Sequence, residues 1–360
     1  MSNFTVGLAI IGGLLLAAVI AHSTWVSRKN TPRMAQPEPL PEDLPPPVQI
    51  EPTLDGSVFV PEPGEGIDPA FGAAEPDAPL VMPAPSRRPG LDALIDVIVP
   101  IALDAPVSGD AVLAAMPSTR RAGSKPVAIE GQNDRSRQWE PPAAGQRYTA
   151  LQIGVQLANR TGALNEIEFS EFVVKAQAFC DVLGGTPEFP DMLDVVARSR
   201  ELDQFASAHD AQLSFTLRAR HAAWSPGYVQ QHAARLGFVA GAMPGRMVLA
   251  SASGPSAAML VLAFDTQAAL SDDPAQSAIR EISLTLDVPH VDRYEAPFAR
   301  MREAADALAA AMDGAVIDDN GQLIQPAALD GIAGDLETLY DALDSRDLSA
   351  GSVLARRLFS

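Results

Sequence analysis

The sequence predicts an α+β fold, with a largely antiparallel sheet and helices packed on one face, preceded by a transmembrane helix and a disordered linker. Three observations carry this reading. Short runs that alternate apolar and polar residues, such as Leu213, Phe215 and Leu217, are separated by runs whose apolar residues recur every three or four positions. The alternating runs come in neighbouring groups joined by short turns, which favours antiparallel pairing. Ahead of them stand an uncharged apolar run and then a long acidic, proline-rich stretch.

The first element is an anchor over residues 1–27. From Val6 to Trp25 there is no charged side chain, and Leu14, Leu15 and Leu16 sit mid-run. A helix of about 20 residues spans about 30 Å, the thickness of a hydrocarbon core. A cleaved signal peptide carries positive charge before its apolar stretch, and Met1 to Thr5 has no lysine or arginine. Arg28, Lys29 and Arg33 follow the run, so the positive-inside rule places the rest of the chain in the cytoplasm and the short N-terminus outside. Trp25 takes an interfacial position. Gly13, Ala17 and Ala21 lie four apart and offer a stripe for self-association.

The second element is the linker, residues 28–123. Of the chain's 31 prolines, 22 fall between Thr31 and Arg147, and ten acidic residues with no lysine or arginine lie between Met34 and Ser86. Such a segment cannot bury enough apolar surface to offset its ordering entropy, so it reads as mostly disordered. Leu91 to Met116 is more apolar, but Pro100 interrupts any long helix there. Two readings stand for it: docking on the folded domain, or a short recognition motif.

Residues 124–210 read as a β/α extension. Leu151, Ile153, Val155 and Leu157 alternate. Phe169, Phe172, Ala176 and Phe179 then recur at helical spacing up to Gly184 and Gly185, and a further helix runs from Asp191 to His209. Residues 211–345 continue with a strand near Leu213, a helix opened by Ser225 and Pro226, strands at Met247–Ser251, Ala258–Asp265 and Ile282–Val288, and helices at Asp292–Met312 and Pro326–Leu343. Asp318, Asp319, Asn320 and Gly321 read as a hairpin turn, since the other ligands of a calcium loop are absent. The order strand, helix, helix from Leu151 to Ala208 parallels that from Leu284 to Leu343, a candidate pseudo-repeat. The tail, 346–360, is either a small hook through Arg356, Arg357, Leu358 and Phe359 or disordered.

Composition excludes several functions. A formal charge of -19 argues against nucleic acid, whose binding is driven by lysine and arginine displacing counterions. The single cysteine, Cys180, sits on an apolar helical face and reads as core. The five histidines fall in different elements without metal-ligand spacing, and no phosphate-binding loop or nucleophile motif occurs. No catalysis, metal or cofactor is predicted.

The layout of anchor, acidic spacer and α+β domain resembles the ZipA family of cell-division proteins. So do Leu236, Gly237 and Phe238 after a helix, the Gly254–Phe264 stretch, Asp287, Val288 and Pro289 at a strand end, and the run Gly314–Ile324 followed by Pro326. The resemblance implies a single-pass protein of the bacterial inner membrane, with a periplasmic N-terminus and a cytoplasmic domain whose exposed sheet face binds the C-terminal peptide of FtsZ, tethering filaments to the membrane. Alternation places Ser214, Thr216, Ser283 and Thr285 on that face, with Ala263 and Asp265 beside them and Met243 and Met247 near an edge. Burial of apolar area is expected to supply the affinity, with little salt dependence. The alternative is a TonB-like envelope-spanning transducer whose proline-rich segment crosses the periplasm.

Overall fold

The computed structural model describes residues 33–34, 90–252, 254–271, 277–318 and 321–360. The expected span, with Val6, Leu14, Leu15, Leu16 and Trp25, and the linker from 35 to 89 lie outside the described residues. Among the described residues no helix is long and apolar enough to cross a membrane.

The first half is built from β1 (Asp96–Leu103), β2 (Val107–Ser108), α1 (Gly109–Ala115), β3 (Arg121–Ala122), β4 (Lys125–Asn133), β5 (Trp139–Glu140) and β6 (Arg147–Gln156). A short hairpin of β7 (Ala158–Asn159) and β8 (Gly162–Ala163) then leads into α2 (Glu166–Leu183), β9 (Gly185–Pro187) and α3 (Met192–His209). The second half comprises β10 (Gln212–Ala219), α4 (Pro226–Arg235), β11 (Val239–Ala240), β12 (Arg246–Ser251), β13 (Gly254–Ala263), α5 (Thr266–Leu270) and β14 (Glu281–Asp287). After these come α6 (Pro297–Met312), β15 (Gly314–Ile317), α7 (Pro326–Asp344) and α8 (Val353–Leu358).

Antiparallel pairing holds throughout these strands, but the single sheet expected from the sequence is in fact two larger sheets, with the β7–β8 hairpin apart from both. One runs β3-β4-β6-β1-β9, with β2 on β6 and β5 on β4, and the other runs β11-β12-β13-β14-β10-β15. Their connectivities correspond. In each half a strand (β1, β10) pairs with a later strand (β6, β14) on one side, and on the other with the short strand (β9, β15) that follows a long helix (α2, α6). A second long helix (α3, α7) then closes the unit.

The linker boundary at 123 is also corrected. Folded structure is present from about Gly90, and β1 pairs on both sides within its sheet. Leu91–Met116 therefore builds a domain instead of docking on one. Pro100 is tolerated because its carbonyl accepts from Glu188 N on the β9 side. Its nitrogen faces the same way, one position beyond the β9 ladder of Ile101 to Leu103, so the missing N–H falls at the end of that pairing. Ile95, Val97, Val99 and Ile101 alternate into the core.

Helix ends follow local chemistry. Asn165 and Glu168 form a capping box at the start of α2, which stops at Gly184 with φ 65°. Asp191 caps α3, and Ser225 caps α4 with Pro226 in its first turn. The helix expected from Asp292 starts five residues late, because Ala296 takes a left-handed φ of 49° after a 3₁₀ turn. Helix α6 packs Met301, Ala305 and Leu308 over β14, β10 and β13, and Phe298 meets Phe215 edge-on with ring centroids 6.3 Å apart. Asp319 and Asn320 lie outside the described residues, but Gly321 N donates to Asp318 O at 2.9 Å, closing the expected turn.

A buried cation ties α2 to β4. Lys125 Nζ donates to Ser124 Oγ (2.7 Å) and Asn159 Oδ1 (3.0 Å) and lies 3.9 Å from Glu168, whose other carboxylate oxygen accepts from Ser124 N and Oγ. Burial lowers the Lys125 pKa. Breaking a buried pair from one side strands the other charge, so Lys125→Ala is expected to cost about 3 kcal/mol in a urea melt.

Cys180 is fully buried, and burial pushes its thiol up to about 11. We expect no modification by a thiol reagent at pH 8 in the native protein and stoichiometric modification in urea, followed by mass spectrometry.

The C-terminal residues are neither free nor disordered: Leu348, Ala355, Leu358 and Phe359 are buried. They join the two halves. Gln156 Nε2 donates to Arg357 O (2.8 Å) and Arg357 pairs with Asp96 (2.6 Å) on the first half. His290 Nε2 bonds Phe359 O (3.0 Å) and Gly351 N donates to Pro289 O (2.9 Å) on the second. Arg160 adds ion pairs to Asp210 (2.6 Å) and Asp287 (2.8 Å).

Candidate peptide-docking site

The second sheet buries one face under its helices. Register puts Leu213, Phe215, Leu217, Ile282, Leu284, Leu286, Leu262 and Met247 on that side. The opposite face is organised in cross-strand rows. Thr216, Ser283, Ala263 and Arg246 form one, and Ser214, Thr285, Val261 and Val248 form the next. Hydroxyls thus line β10 and β14, while small aliphatic side chains line β12 and β13.

A groove of about 670 Å³ opens on this face. Val261, Ala263, Ala258 and Met259 supply apolar lining, with Thr285, Gln212, Asp287 and His290 to one side and Arg246 and Arg356 reaching it from β12 and α8. Asp287 is neutralised by Arg160, whose guanidinium is held charged by Asp210 and then by Asp287. Among the described residues Arg246 and Arg356 make no ion pair, and Arg356 Nε is buried without a hydrogen-bond partner. The groove is therefore apolar at its floor and cationic at its rim.

Five of the sequence-derived candidates, Ser214, Thr216, Ala263, Ser283 and Thr285, share this open face, and Ala263 and Thr285 line the groove. Met247 does not belong to it. It is 5% exposed and pairs with Leu262 on the core side, because β12 starts at Arg246 and alternation sends Arg246 and Val248 outward. Met243 is exposed, in the turn before β12 and outside the groove lining. Asp265 has left the strand, and its carboxylate accepts from Gln267 N (2.8 Å) to cap α5. Sequence reasoning missed Val261, whose alternation with Ala263 could have found it, and Arg246, outward by the same rule. Arg356 carried no such signal, since it reaches the groove only through tertiary packing.

Comparison with known families bears on the strands that build this face. Residues 229–333 match the family of ZipA, C-terminal FtsZ-binding domain. The resemblance read from the sequence is thereby shown for the ZipA-like stretch. It carries five of the six strands of this sheet, β11, β12, β13, β14 and β15, together with α6. Strand β10, helix α8 and the whole first half lie outside the match. No curated protein matches the chain. The ZipA family description is that of a binding domain, and among the described residues no cluster of histidine, cysteine, aspartate and glutamate could hold a metal ion.

Proposed function

We propose that this chain is a non-catalytic cell-division adaptor that binds the C-terminal peptide of FtsZ in the groove on its second sheet and tethers FtsZ filaments to the inner membrane. The observation that supports it most is the coincidence of the family match with the strands that form the groove. An extended peptide would lay alternate side chains over Val261 and Ala263, burying apolar surface worth about 25 cal/mol per Å². Weak single-site affinity suffices for tethering, because many anchored copies facing one polymer gain avidity from their effective concentration.

Fluorescence anisotropy of a labelled C-terminal FtsZ peptide with the full detergent-solubilised chain tests this. Thr285→Arg puts a long side chain into the groove lining and is expected to weaken binding about 10-fold, since overpacking a complementary site costs about 1–3 kcal/mol. Val174→Arg, on an exposed position of α2 in the first half, should leave binding unchanged. Absence of saturable binding by the unaltered chain would refute the docking reading. Protease digestion of the domain in inverted membrane vesicles tests the tether. Protection there would instead favour the envelope-spanning transducer.

A further inference from the structure

We propose that the C-terminal helix α8 completes the groove as a carboxylate anchor: Arg356, together with Arg246, pairs with an acidic group of the docked peptide. The first half of the molecule serves this site by holding α8 in place. This rests on the docking reading above and adds to it the chemistry of the ligand and a task for residues 91–210.

Four observations carry it. First, in a chain of net charge -19, two arginines without a carboxylate partner among the described residues line one groove. Second, the acid beside them, Asp287, is already engaged by Arg160 at 2.8 Å and by His290 Nδ1 at 3.4 Å. Third, Arg356 Nε is buried with no acceptor. A buried donor left unmade is costly, and a planar guanidinium takes a carboxylate in two parallel hydrogen bonds, so a ligand acid would satisfy it.

Fourth, the neighbouring Arg357 points the other way. It donates to Gly90 O (2.9 Å) and pairs with the buried Asp96 of β1 (2.6 Å), while Gln156 of β6 donates to its carbonyl. Adjacent arginines on a six-residue helix are thus divided: Arg357 fastens α8 to the first half and Arg356 serves the groove of the second. The occupant is an extended peptide with small apolar side chains and at least one carboxylate near the α8 side. Binding should then weaken with salt, contrary to the salt-insensitivity expected from the sequence.

The test is a double-mutant cycle on the full chain by fluorescence anisotropy. Its probes are the labelled C-terminal FtsZ peptide and an amidated analogue with every Asp and Glu replaced by Asn and Gln. For the acidic peptide, Arg356→Gln and Arg246→Gln are each expected to raise Kd about 10-fold, as loss of a charge-assisted hydrogen bond does. For the neutral analogue neither substitution should matter. Arg357→Gln, which does not line the groove, should weaken the acidic peptide while leaving the neutral one unaffected. If the acidic peptide binds Arg356→Gln and Arg246→Gln as it binds the unaltered chain, the anchor is wrong and the docking reading survives. If neither peptide binds the unaltered chain, both fall. Should Arg356→Gln fail to fold, judged by circular dichroism, Arg246→Gln on β12 decides alone.

Discussion

Replacing Phe359 by alanine is expected to lower the unfolding free energy by about 3–5 kcal/mol, the usual loss for a fully buried phenylalanine. Phe359 is 1% exposed although it is the penultimate residue. Its amide donates to Ala355 O to close α8, and its carbonyl receives His290 from the second half. With Leu358 and Ala355 it fills the seam between the halves. Deleting 348–360 would also remove Leu348, Arg357 and their bonds, and should cost more than the point substitution. Urea and thermal melts by circular dichroism read both. A Phe359→Ala melt superimposable on the unaltered protein would mean that the C-terminal helix is not packed as described.

Trp224→Ala should be comparably damaging, at about 3–5 kcal/mol. Trp224 is fully buried, its indole Nε1 donates to Met312 O (2.8 Å), and its ring lies over Gly314, where an added Cβ would stand 3.2 Å from it. Its backbone exchanges two 2.8 Å hydrogen bonds with Ile279. Arg33 is fastened beside it, its amide donating to Ala223 O (2.7 Å), its carbonyl accepting from Ser225 N (2.9 Å) and its guanidinium pairing with Asp313 (2.8 Å). Trp224→Phe keeps most of the volume but removes the indole donor and leaves the Met312 carbonyl only the longer bond from Arg33 Nη1 (3.4 Å), and is expected to cost about 1–3 kcal/mol. If the alanine and phenylalanine variants melt together, the hydrogen bond outweighs the ring.

The expected linker starts at residue 28, yet Arg33 is already paired with the second half, its amide donating to Ala223 O.

The sequence by itself determined most of the longer helices. Asp191, Ser225 with Pro226, and Gly184 each act within one turn of their own position, so their meaning is local and legible. Alternation likewise assigned Ser214, Thr216, Ser283 and Thr285 to one face of their strands without knowledge of the partner strands. What only the tertiary structure decided is non-local. Strand β1 was hidden by Pro100 and by apolar residues on both its faces, and its role depends on pairing with β6, some fifty residues on. That Met247 faces the core and not the groove depends on the strand boundary that sets its parity, which is fixed by pairing with β13. The C-terminal helix is too short to show an amphipathic period, so neither the burial of Phe359 nor the approach of Arg356 to a groove on a distant sheet was written in any local pattern. Local chemistry fixes where helices start and which way a strand's side chains alternate. Which segments meet is settled by the burial of surfaces that lie far apart in the chain, and the groove's cationic rim is a product of that meeting.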